Sequence, residues 1–314
     1  MTTAIGVTEY GGPEQLQALD LPAEDLRPGT VRIRVRAAAV NPTDTGVRSG
    51  QRSTTGKPED VADVPGMDVA GELTEIAPDV DTELAVGDHV MAIVVPSGQH
   101  GGYRGELVLP AASVVRIPSG ASDIEAATLP MNGLTARFAL DQLGLQSGQV
   151  LAVTGAAGAF GGYVIQLAKA DGLVVVADAK ESDEDLVRKL GADVVLPRGD
   201  EFAARVRATY PEGVDGLADG AVQNELALPA VKDGGAVVTV RGYTGDSRRG
   251  LRVTPVLVRQ HAQEHAALDR LREQVESGLL TLRVADSYPA GQAAEAHRRF
   301  EAGGVRGRLV LVFD

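Results

Sequence analysis

Apolar and basic residues alternate strictly along Val31-Arg32-Ile33-Arg34-Val35-Arg36. Successive side chains of a strand point to opposite faces, so this period predicts a strand with one face on a core and the other in water. Turn signals follow at Asn41-Pro42, Val64-Pro65-Gly66, Ala77-Pro78 and Gly101-Gly102, separating short apolar pieces such as Val69 to Leu73 and Val90 to Val95. Such pieces, bounded by turn residues, mark a largely antiparallel sheet. Residues 1–118 are therefore expected to be β-rich.

The pattern changes near Ser119. Ser122 and Glu125 stand at capping-box spacing and are expected to open an Ala-rich helix. Beyond it, Val150 to Val153, Leu173 to Ala177, Val194 to Leu196, Val214 to Ala218 and Ala236 to Val240 are apolar runs without alternation, and helical stretches intervene. Strands buried on both faces and joined by helices predict a doubly wound parallel sheet. The final piece, Gly307 to Val312, is a strand expected to return to the first domain. The expected division is residues 1–118 with 285–314 as one domain and 119–284 as the other.

Length and composition fit this division. A chain of 314 residues exceeds what one core usually supports. With 44% hydrophobic and 23% charged residues, it has the make-up of a folded globular protein. A net charge of −13 disfavours nucleic acid and anionic membrane surfaces, which leaves a small molecule as the expected partner. No basic start with an apolar core opens the chain, and no apolar run nears the ~20 residues of a bilayer span, so a cytoplasmic protein is expected. There is no cysteine, which removes disulfides, thiolate nucleophiles and every sulfur-ligated metal site.

The chemistry-bearing segment is Gly155-Ala156-Ala157-Gly158-Ala159-Phe160-Gly161. It follows the strand Val150 to Val153 directly and runs into the helical stretch Tyr163 to Lys169. Glycines allow a sharp turn and close approach of backbone to a pyrophosphate, while the start of the helix aims free amides at that anion. Asp178 lies 17 residues after Gly161, where an acidic residue contacts an adenosine ribose.

These residues resemble the quinone oxidoreductase branch of the medium-chain dehydrogenase/reductase superfamily. The resemblance spans nearly the whole chain. It rests on Ala37 to Asp44 with Arg48-Ser49-Gly50, Pro65 to Gly71, Gly87-Asp88-His89-Val90 and Gly102-Tyr103, then on Gly133 to Ala136, the glycine turn, Leu190 to Asp193 and Gly307 to Val310. It implies a GroES-like catalytic domain, completed by the C-terminal strands, with a Rossmann domain inserted in it, and a homodimer. It also implies that Asn41, Thr135 and Arg241-Gly242-Tyr243 lie near the nicotinamide.

Zinc-dependent members of the superfamily hold their metal mainly by Cys and His. This chain lacks Cys, and its five His rebuild no such site. The expected chemistry is metal-free hydride transfer to an enone, an enoyl group or a quinone, with donors stabilising the enolate. Tyrosines frequent in this branch after the Asn-x-x-Asp segment are absent from Thr45 to Arg52. Arg52, His100, Tyr103 and solvent are the candidate proton sources, with Asn41 a further candidate catalytic residue. Asp178 favours NADH because it would repel a 2′-phosphate, whereas Lys180 and Arg198 favour NADPH, the expected cofactor. Two rivals stand beside this reading. One is a zinc peptidase, since His261, Glu264 and His265 match H-x-x-E-H. The other is an idle dinucleotide-binding sensor or structural protein.

Overall fold

The computed structural model describes residues 1–51, 62–245 and 248–314. By packing, the chain divides into two compact units: Met1–Met131 with Arg259–Glu276 and Leu282–Asp314, and Asn132–Val258 with Ser277–Thr281. Residues 119–131, 259–276 and 282–284 thus pack with the first unit, whereas the sequence division assigned them to the second.

In the first unit β1 (Thr2–Gly6) and β2 (Gln17–Leu21) form a hairpin-like pair. β3 (Thr30–Ala39) is followed by α1 (Pro42–Arg48), β4 (Asp68–Ile76), β5 (His89–Ile93), β6 (Glu106–Pro110) and β7 (Val114–Arg116). The alternation in β3 does what its period predicts: Val31, Ile33 and Val35 are buried, while Arg32, Arg34 and Arg36 keep contact with water. β3 pairs with both β4 and β6 and is the hub of the sheet. Its far edge is closed by the C-terminal strands of the unit, numbered β14 (Val284–Pro289) and β15 (Arg308–Val312) in chain order, with Val310 opposite Ala39. α1 occupies the turn between β3 and β4 because Asn41-Pro42 supplies its start: Pro42 needs no amide partner, and the Asn41 N–H donates to Asp44 Oδ2 at 2.8 Å.

The helix expected from the Ser122/Glu125 capping box forms, with Ser122 N–H donating to Glu125 Oε2, but α2 (Asp123–Ala126) is only one turn long. The chain restarts as α3 (Pro130–Leu143). A proline cannot sit inside a helix without losing an amide and clashing with the preceding turn, so Pro130 ends one helix and opens the next.

In the second unit β8 (Val150–Thr154), α4 (Ala159–Ala170), β9 (Val174–Ala179), α5 (Glu184–Lys189), β10 (Val194–Pro197), α6 (Phe202–Thr209), β11 (Val214–Asp219), β12 (Val231–Thr239) and β13 (Arg252–Pro255) alternate strand and helix. All pairings are parallel, in the order β10-β9-β8-β11-β12-β13. Strand order therefore reverses between β8 and β11, and in such sheets ligands bind beyond the carboxyl ends of the strands at that reversal. Two helices of the first unit remain, α7 (His265–Glu276) and α8 (Ala293–Glu301); α8 buries Ala293, Ala296 and His297. Among the described residues no helix is long and apolar enough to cross a membrane.

Candidate active site

The candidate residues divide between the two units. In the second unit the glycine turn leaves β8 at its carboxyl end. Gly155 has φ +67°, and a β-carbon there would come within 2.9 Å of the Gly220 carbonyl carbon, so the position needs glycine both for conformation and for space. A β-carbon on Gly161 would overlap the Gly155 carbonyl, so only glycine lets α4 close onto the turn. Gly158 precedes α4 in extended conformation, and no side chain caps the helix. The start of this twelve-residue helix, Ala159–Ala170, therefore points backbone amides toward the turn. Ala156, Ala157 and Ala159 are buried around the turn.

Asp178 ends β9 beside this turn and is buried. Its Oδ1 accepts from Ala156 N–H at 3.0 Å. Oδ2, equally buried, accepts no hydrogen bond, and the nearest cation is Arg198 Nε at 3.8 Å. Burial pushes the carboxyl up, against the pull of the Ala156 amide and Arg198. An acceptor buried without a donor is costly and marks a place where a ligand group would fit. The Arg198 side chain is 40% exposed, and Lys180 is exposed just after β9.

Sequence reasoning gave no role to Asp219, which holds the neighbouring wall. It accepts from Thr154 Oγ1 (2.6 Å) and from the amides of Gln223 (3.1 Å) and Asn224 (2.8 Å). This clamp holds Val222 and Asn224 at positive φ, and Arg241 after β12 is also left-handed, next to Gly242. Backbone strain of this kind gathers at functional sites. Val222, Asn224 and Arg241 lie beyond the carboxyl ends of β11 and β12, on the side of the sheet where the glycine turn lies, whereas Arg249, also left-handed, lies before β13. The Tyr243 carbonyl accepts from Thr239 Oγ1 at 2.6 Å, which fixes the Arg241-Gly242-Tyr243 turn. Thr135, on α3, is buried.

In the first unit Asn41, Asp44, Asp68, Tyr103 and His297 form a buried polar network. Asn41 Nδ2 donates to Asp68 Oδ2 at 2.7 Å, and Asp44 accepts from Gly66 N–H and from the Tyr103 hydroxyl, each at 3.1 Å. Tyr103 Oη lies 3.1 Å from His297 Nε2, and Arg48 reaches both His297 Nδ1 (3.4 Å) and Glu301 Oε1 (2.6 Å). Arginine only donates, so His297 Nδ1 accepts, Nε2 carries the proton and donates to Tyr103, and Tyr103 in turn donates to Asp44. Burial and then Arg48 push His297 down to about 3, which keeps it neutral. Burial raises Asp44 to about 6 and Asp68 to about 7 despite their donors, and it raises Tyr103 well above its ordinary value.

Of the candidate proton donors, Tyr103 is therefore enclosed in this network, and His100 Nδ1 lies 2.8 Å from Glu24 Oε1. Arg52 lies outside the described residues. Asn41 is fully buried, its amide on Asp68. Sequence reasoning also missed the roles of Asp68 and His297. The available signal was a histidine in the apolar phase of α8, beside Ala293 and Ala296. His261 and His265 do not share a helical face as H-x-x-E-H supposes: His261 ends a short 3₁₀ turn, Val258–His261, and α7 begins only at His265. Among the described residues no three His, Cys, Asp or Glu side chains cluster as a metal cage requires.

Residues 27–119 match the family model of the alcohol dehydrogenase GroES-like domain, and residues 190–311 match that of zinc-binding dehydrogenase. A probable zinc-binding oxidoreductase, mitochondrial, of Arthroderma benhamiae is 31% identical, the match covering 94% of this chain and 92% of that one. The 2-methylene-furan-3-one reductase of Solanum lycopersicum is 29% identical over 97% of this chain and 77% of its own. A mycobacterial protein solved in complex with NADPH superposes with a TM-score of 0.86 at 28% identity, covering 100% of both chains.

Proposed function

We propose that this chain, which belongs to the medium-chain dehydrogenase/reductase superfamily, is an NADPH-dependent reductase that adds hydride to an enone, an enoyl group or a quinone without using a metal. The observation that carries this reading is the glycine turn at the strand-order reversal, with the buried Asp178 Oδ2 beside it making no hydrogen bond and Arg198 Nε 3.8 Å away.

The residues fit a dinucleotide. Gly155, Ala156, Gly158 and the first turn of α4 would hold the pyrophosphate. Asp178 would take the adenosine ribose, with Lys180 and Arg198 toward a 2′-phosphate. The repulsion between Asp178 and that phosphate is reduced in two ways: burial favours the neutral carboxyl, and Arg198 stands close by. When bound, the reduced nicotinamide supplies the hydride. The chain's part is to orient the acceptor, with Asn41 and Thr135 toward the nicotinamide end, and to exclude water. Because Tyr103 already donates to Asp44 and His100 is paired with Glu24, solvent is the favoured proton source for the enolate. Two copies would pair through β13, which among the described residues pairs with β12 alone.

Steady-state oxidation of NADPH against enones, enoyl thioesters and quinones tests the reading. Turnover with at least one class, and a lower Michaelis constant for NADPH than for NADH, is the expected result. Tight cofactor binding with no oxidation by any acceptor would favour the idle sensor.

A further inference from the structure

We infer that Asp68 is a positioning residue for the reductase, fixing with its two carboxylate oxygens the side chain of Asn41 and the backbone of Met131. The inference rests on the function proposed above, which sets Asn41 toward the nicotinamide.

Asp68 is the first residue of β4 and is fully buried. Its Oδ2 accepts from Asn41 Nδ2 at 2.7 Å, and its Oδ1 accepts from Met131 N–H, in the first turn of α3, at 2.6 Å. Both bonds have the short lengths of charge-assisted bonds. One side chain thus ties the residue before α1 to the second residue of α3. The position calls for a carboxylate because both partners donate. An asparagine at 68 would turn an N–H toward one of them, and an apolar residue would leave both without an acceptor. Burying a carboxylate where an apolar residue would pack is costly, and holding two donors in fixed relation is what this one does.

The charged and titratable groups facing Asp68 are Asp44 of α1, Arg308 of β15 and Tyr103. Burial raises its carboxyl to about 7, so near neutrality a proton competes with one of the two bonds. Alignment should therefore loosen on the acid side, and kcat should carry an acid limb that belongs to Asp68.

The test uses the full chain and Asp68→Asn. The expected result is at least a tenfold fall in kcat, NADPH affinity within threefold of wild type, and loss of the acid limb near neutral pH. The Asn41 side-chain amide signal, assigned by its absence in Asn41→Asp, should shift with the Asp68 titration and move in Asp68→Asn. The reversed pair, Asn41→Asp with Asp68→Asn, controls for folding, since it restores a donor–acceptor match across the same contact. It should regain most of the melting temperature lost in Asp68→Asn while kcat stays low. A kcat within twofold of wild type in Asp68→Asn, an Asn41 amide blind to Asp68, or recovery of kcat together with melting temperature in the reversed pair would overturn the inference. If wild type turns over no acceptor, the reductase reading itself falls and the catalytic half of the inference falls with it; the amide signals separate that outcome from a wrong assignment of the Asp68 contacts.

Discussion

In the proposed function the choice of nicotinamide falls to a single side chain, Arg198. It stands 3.8 Å from Asp178 with 40% of its side chain exposed, a placement that in this reading would offset the carboxylate's charge and meet a 2′-phosphate. A hydrogen bond to a charged group contributes about 1.5–3 kcal/mol. Arg198→Ala should therefore raise the Michaelis constant for NADPH by about ten- to a hundredfold and leave that for NADH nearly unchanged. Equal effects on the two cofactors would remove Arg198 from the 2′-phosphate. The buried network sets a second expectation. Asp44 and Asp68 titrate near 6 and 7 in the fold, against 3.8 ordinarily. Their contribution is fully present below the ordinary value and is lost as pH rises through the folded values. His297, held near 3, works in the opposite sense over the same range, losing stability as pH falls from its ordinary 6.5. Each group changes the slope of stability with pH by up to about 1.4 kcal/mol per unit. Asp68→Asn should thus shift the slope of unfolding free energy against pH between pH 4 and 7 in the positive direction, as read by urea melts across that range. An unchanged or more negative slope would contradict the raised carboxyl. Little of this network was legible beforehand, because residues 41, 68, 103 and 297 meet only through tertiary pairing.

Elements were more legible. The alternation at Val31 to Arg36 and the uniform apolar runs of the second unit reported burial directly, since a strand's period records which faces are covered. The glycine turn was readable because its neighbours in sequence are also its neighbours in space. The length of the helix after Ser122 was not, since a capping box marks where a helix starts and says nothing of Pro130 eight residues on. The turn itself gives a sharp prediction. A methyl group on Gly161 would overlap the Gly155 carbonyl, and relieving such overpacking typically costs about 1–3 kcal/mol. Gly161→Ala should weaken NADPH binding by about five- to a hundredfold in a fluorescence titration and lower the melting temperature. Wild-type affinity in this variant would mean that the turn does not carry the pyrophosphate.

At the scale of the whole molecule, a β-rich unit built around β3 accompanies a parallel sheet whose strand order reverses beside the glycine turn. The absence of cysteine and the broken H-x-x-E-H segment bear on the metal. Purified protein should contain zinc well below one atom per chain, and activity should survive a chelator. Stoichiometric zinc lost together with activity would return the metal to the mechanism. The central claim, metal-free hydride transfer from a nicotinamide to an activated carbon, is tested most directly with NADPH deuterated at C4 and an enone, in chelator-treated protein. The account predicts deuterium on the β-carbon of the saturated ketone. Product without the label at that carbon, or none formed from any acceptor class, would contradict it.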